Sequence, residues 1–332
     1  MSATSSPVPP LLAPVSTPQP TQSSTVAMQS TDKLKSGTTW DNLPSEIILH
    51  VVASTEYFEF ATIHNLQLVD QRLYRILKAY ERSLCKGYVT NQLRHVVAYF
   101  PDLISPQCKA CRSVVGCTCN LSFSLLANIQ HSVQLLTELH RDVFELAPVC
   151  RCLQSWHTLF KAGVLFLFRM QGLSSYDEKA DFIFSMPVGC LVAVLIALTQ
   201  SLRAVQMGGS GLIHQDALPD DAQSRSDVLL VFEDCILRGG PEVVMGTLNH
   251  NEWAENMLER QYSRLDESQM ADEDGTPPQK SLISQLKRAF AFKAGCRIGG
   301  IMTKAMEMSQ KKPLRDITDA YIVNLVQSVP EY

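Results

Sequence analysis

From Leu125 to Leu146, seven apolar residues recur at steps of three and four: Leu125, Ile129, Val133, Leu136, Leu139, Val143 and Leu146. That spacing places them on one face of an α-helix and requires an apolar partner for the face. Pro148 then limits the helix. The same helical period predicts further helices over Gly87–Phe100, Cys150–Phe168, Val188–Leu202, Ser226–Leu237, Pro241–Leu265, Ser281–Lys304 and Leu314–Val326. Pro241, following Gly239-Gly240, suits a helix start. No run of alternating strands and no internal repeat is apparent. The expected fold class is therefore all-α.

Around these helices the composition is that of a globular chain, with 45% hydrophobic and 19% charged residues in 332. That length suits one large domain or two smaller ones. The net charge of -4 offers no basic excess for nucleic acid. The longest apolar run, Met186–Leu198, has 13 residues and contains Pro187 and Gly189. It is too short for a bilayer and suits a buried helix, so no membrane partner is expected. Residues 1–38 are dominated by Ser, Thr, Pro and Gln and predict a disordered tail. Gln206–Gln223, with Gly208-Gly209-Ser210-Gly211, and the acidic Asp266–Gln279 predict mobile surface connections. The N-terminus lacks a basic start followed by an apolar core, so no secretory signal is expected. The ten cysteines should then be reduced thiols or metal ligands, in the cytoplasm or nucleus.

Trp40–Tyr80 reads as three short helices with one apolar side, too small a unit to bury that side alone. Pro44 fits a first helical turn, where its missing N–H costs nothing. Glu46 sits near the same positive helix end. Ile47, Ile48, Val51 and Val52 supply the apolar side. A second helix carries Ile63, Leu66 and Val69. Asp70 can cap a third, which places Leu73, Ile76, Leu77 and Tyr80 on one face.

These residues resemble a known module. Leu43-Pro44-Ser45-Glu46-Ile47 is similar to the opening Leu-Pro-x-Glu-Ile/Leu of the F-box. Ile63-x-x-Leu66-x-Leu68-Val69-Asp70-Gln71-Arg72-Leu73 is similar to its second half. The link between the halves is longer than usual, Thr62 replaces a frequent Asp, and Leu73 replaces a frequent Trp. The resemblance is confined to this stretch. It implies a three-helix module at residues 39–82, followed by an irregular helical C-terminal domain at 83–332. It further implies docking on the Skp-type adaptor of an SCF (Skp–cullin–F-box) ubiquitin ligase. The matching contact positions are Leu43, Pro44, Ile47, Ile48, Val51, Leu66 and Val69. The other reading of these side chains is packing against the chain's own C-terminal helices.

Cys108, Cys111, Cys117 and Cys119 fall within one short segment. Cys108-x-x-Cys111 is a good half-site for zinc, whereas Cys117-x-Cys119 is a poorer one. A structural zinc and a loop of reduced, partly buried cysteines are two readings, and a redox Cys-x-x-Cys, which lacks a surrounding βαβ pattern, is a third. No other cofactor is expected.

No His-Glu-x-x-His pair, Gly-x-Ser-x-Gly elbow, Walker loop or dinucleotide fingerprint is present. His140-Arg141-Asp142 lies within the amphipathic Leu125–Leu146 period, as a helix edge. No enzymatic activity is expected. The resemblance implies a substrate-recruiting adaptor that joins an SCF ligase to an unknown protein. The alternative is a non-catalytic helical scaffold, with or without a structural zinc, unrelated to ubiquitination.

Overall fold

The computed structural model describes residues 43–54, 59–91, 93, 96, 98–100, 121–149, 153–270 and 281–329, with only the backbone of 265–270 and 319. Among these residues are thirteen α-helices and no strand, so the expected all-α class holds. In chain order they are α1 Ser45–Ala53, α2 Phe60–Val69, α3 Gln71–Asn91, α4 Phe123–Leu146, α5 Ser155–Gln171, α6 Tyr176–Ser185 and α7 Val188–Gly208. There follow α8 Ala222–Gly239, α9 Glu242–Leu248, α10 Glu252–Met270, α11 Leu282–Ala294, α12 Ile301–Ser309 and α13 Asp319–Gln327.

The apolar run read from the sequence becomes the axis of the fold. Cys190 to Leu198 is buried on every side, as expected of a helix surrounded by others. α7 is long and apolar enough to cross a membrane by length and composition, but most of that stretch is buried within the protein. It packs on α4, α5, α8, α9, α11, α12 and α13, with α5 its most extensive partner. Gly163 of α5 makes that pairing close. A Cβ there would lie 2.2 Å from the Ala193 carbonyl and 2.6 Å from the Ala197 methyl. The seven periodic residues of α4 are buried or half-buried, and α4 rests on α5 and α7.

Several helix ends are closed by side chains from other helices. Burial leaves terminal N–H and C=O groups without water, so each needs a donor or acceptor. The guanidinium of Arg169, buried and 5.1 Å over the Phe182 ring, donates to the Val326 carbonyl at 2.7 Å and so ties down the end of α13. Lys179 donates to the Arg238 carbonyl near the end of α8 at 2.6 Å, and Lys293 to Met186 after α6 at 2.6 Å. All three place a cation at the negative end of a helix dipole. At positive ends, Asp234 accepts from the Leu282 and Ile283 N–H groups of α11 at 2.6 and 3.1 Å. Glu81 of α3 accepts from Phe123 N–H at 2.9 Å, at the start of α4.

Several boundaries differ from the sequence expectations. α3 runs on to Asn91, because Leu84, Cys85 and Tyr88 continue its buried face. Pro241–Leu265 is two helices, broken at Asn249–Asn251, where His250 takes φ 54°. Ser281–Lys304 is likewise divided. Gly295 ends α11 in the left-handed region at φ 61°, and a 3-10 turn at Ile298–Gly300 leads into α12. Leu314–Val326 opens as a 3-10 turn at Leu314–Asp316, and the helix itself starts at Asp319. The Gln206–Gln223 connection is anchored rather than loose: Ile213, in a 3-10 turn, is fully buried, and Gln215 N–H donates to Gln206 O at 3.0 Å. The tail at 1–38 and residues 271–279 of the acidic connection lie outside the described residues.

Candidate docking surface

α1 begins directly after Pro44, whose carbonyl accepts from the Ile47 and Ile48 N–H groups at 3.1 and 3.3 Å. Its four aliphatic residues divide into two rows, because neighbours on a helix are about 100° apart. Ile48 and Val52, at i and i+4, turn inward and are buried. Ile47 and Val51, also at i and i+4, remain 47% and 48% exposed. The Tyr88 hydroxyl of α3 donates to the Val52 carbonyl at 2.5 Å and holds the end of α1 in place.

α2 and α3 form a tight corner at Asp70. Its carboxylate accepts from the Arg72 and Leu73 N–H groups at 3.0 and 3.3 Å, the cap expected from the sequence. Thr62 donates its hydroxyl to Glu59 at 2.6 Å. α1 and α2 each pack on α3, and α2 and α3 also pack on α4. Val52, Ile63, Leu77, Leu84 and Tyr88 join the main apolar core, whereas Ile48, Leu73 and Ile76 are buried apart from it.

The positions matched to adaptor contacts therefore fall into three groups. Pro44, Ile47, Val51 and Val69 are exposed, Val69 at 73%. Leu43 and Leu66 are half-buried, and Leu66 packs against the core. Ile48, expected among these positions, is only 1% exposed: its side chain is enclosed by the chain itself. Leu68, at 71% exposure, and Tyr74, at 47%, are also exposed. Their signal in the sequence was their place on the outer side of the α2–α3 corner, which only packing distinguishes from the inner side. A cleft of about 350 Å³ separates Leu49, His50 and Ala53 of α1 from Tyr80, Leu84 and Gly87 of α3.

Cys108, Cys111, Cys117 and Cys119 lie outside the described residues. Among the described residues, no group of three or more His, Cys, Asp or Glu side chains is placed to hold a metal. Of the described thiols, Cys85 and Cys235 are pushed up to about 12 and Cys190 to about 11, in each case chiefly by burial. Those three are protonated core residues at neutral pH. His140 does not stand as a free helix edge. Its Nε2 is 3.2 Å from Nδ1 of His157, whose ring stacks on Phe144 at 3.9 Å. A second cleft, of about 470 Å³, lies among Pro187, Val188, Met308, Leu314, Tyr321 and Leu325. Among the described residues, no histidine, cysteine or carboxylate lines it.

No protein-family model, curated protein or solved structure matches the chain.

Proposed function

We propose that the protein is a substrate-recruiting adaptor of an SCF-type ubiquitin ligase, with the outer side of α1–α2 docking on the Skp-type adaptor. The observation that carries this reading is the exposure of Ile47, Val51, Leu68 and Val69 on helices whose opposite sides are buried. Fully burying an exposed side chain of this kind contributes roughly 1.5–3 kcal/mol, and part of that gain is still open at each of the four, which favours a partner. They fall within the stretch where the F-box resemblance is carried by Leu43-Pro44-Ser45-Glu46-Ile47 and Ile63–Leu73. In this reading the chain contributes no chemistry of its own. It raises the effective concentration of a substrate lysine near the ubiquitin carrier.

Co-purification of the full chain with the Skp-type adaptor tests the proposal. The wild type should retain the adaptor, and an Ile47→Asp/Val51→Asp double variant should lose it while remaining folded. Absence of the adaptor from the wild-type preparation would remove the ligase reading. A second reading, a helical scaffold without ligase function, is favoured by the packing of α2 and α3 on α4 within one core. It predicts equal, negligible adaptor recovery for both proteins.

A further inference from the structure

Ser281–Met306 contains five cationic residues and no carboxylate, in a chain where acidic residues outnumber basic ones 33 to 29. The structure accounts for three of the five. Lys287 pairs with Glu233 at 3.1 Å, Lys304 pairs with Glu307 at 3.0 Å, and Lys293 closes the end of α6. Arg288 and Arg297 are exposed, and among the described residues neither has an ion-pair partner.

Large apolar side chains stand on the same segment. Phe292 is 83% exposed, Ile298 59% and Met302 37%. Phe292 occupies the last turn of α11, Ile298 the 3-10 turn, and Met302 the first turn of α12, and these three elements touch one another. Gly295 brings them together, because its left-handed backbone ends α11 and redirects the chain. The inner residues of the same helices, Leu286, Phe290, Ile301 and Ala305, are buried, so the outer ones do not reflect loose packing.

We propose that Phe292, Ile298 and Met302, flanked by Arg288 and Arg297, form the docking surface for the recruited protein, and that the segment it takes carries aromatic or aliphatic anchors interspersed with carboxylates. The identification of that partner as a ligase substrate rests on the reading under "Proposed function"; the binding surface does not. Charge complementarity selects an acidic segment, because Arg288 and Arg297 are the exposed cations left beside these apolar side chains and the planar guanidinium fork matches a carboxylate in two parallel hydrogen bonds. Phenylalanine, methionine and arginine are each enriched at protein interfaces relative to the rest of the surface. An anionic membrane is less well matched: two unpaired arginines fall short of the roughly four to eight cations typical of polybasic lipid sites.

The probe is a pair of short fluorescent peptides with identical Phe and Leu residues, spaced by Asp and Glu in one and by Lys and Arg in the other. Titrated with the full chain, the acidic peptide should bind about tenfold or more tightly than the basic one and weaken as salt rises. A Phe292→Ala/Arg297→Ala variant should lose about thirtyfold in affinity with unchanged circular dichroism, since both side chains are exposed. Equal binding of the two peptides, binding of neither, or an unaffected variant would overturn the proposal. So would sedimentation with phosphatidylserine vesicles that outcompetes the acidic peptide. The same variant should bind the Skp-type adaptor as the wild type does. Failure of adaptor binding with peptide binding intact would therefore overturn only the ligase reading.

Discussion

Asp234 shows how a single carboxylate can join two helices. It sits in the penultimate turn of α8, accepts from Arg238 of its own helix at 2.5 Å, and accepts from two N–H groups and the Ser281 hydroxyl at the start of α11. Asp234→Ala should destabilise the protein by about 2–3 kcal/mol, because buried donors lose a charged acceptor. Urea unfolding measures this, and a midpoint within error of wild type would contradict it. Nothing in the local sequence marks its joining role, since its partners on α11 lie more than forty positions away. His157 is a second such case. Burial first, and then the charge of Lys161, lowers its pKa below the ordinary value. The unfolded chain therefore takes up the proton first. Stability is intact above the unfolded pKa of about 6.5 and is lost as pH falls through the lower folded value. Melting temperatures of wild type and His157→Phe should diverge least in favour of wild type at the acid end of that window. A difference independent of pH between about 7.5 and 5.5 would contradict this.

At the scale of elements, the helical periods were legible because apolar spacing is local information. Leu125–Leu146 and Val188–Leu202 lie within one helix each, α4 and α7. Breaks were less legible. Gly295 could have been read as a helix end, yet the apolar period continues across it from Phe290 to Ile301. α6 lay outside the expected helices although it carries its own start signal. Ser175 accepts from Glu178 N–H at 3.1 Å, and the Glu178 carboxylate accepts from Ser175 N–H at 2.9 Å, a reciprocal capping box. The contact between α5 and α7 was legible only as small residues, Gly163, Ala193 and Ala197, whose facing arrangement needs both helices in place. Gly163→Ala should cost roughly 1–3 kcal/mol, because the added methyl meets backbone that cannot yield locally. Unchanged thermal stability would show that the two helices can separate without loss.

For the whole molecule, the division between inner and outer rows decides what the helices at the N-terminal end can do. The described residues from Pro44 to Val329 belong to one compact unit, and α3 runs unbroken across residues 82 and 83 into contact with α4. Composition identified Ile47, Ile48, Val51 and Val52 as apolar. Only the position of α3 shows that Ile48 and Val52 hold the fold while Ile47 and Val51 remain available. That separation allows binding and stability to be tested independently. Calorimetric titration of the Skp-type adaptor into wild type, Ile47→Asp, Val51→Asp and Val69→Asp, with melting temperatures recorded in parallel, is the most direct measurement. The account predicts adaptor binding by wild type, affinities lower by about 30-fold in the variants, and melting temperatures that stay at the wild-type value. No heat of binding with wild type, or variants that bind as wild type does, would contradict it.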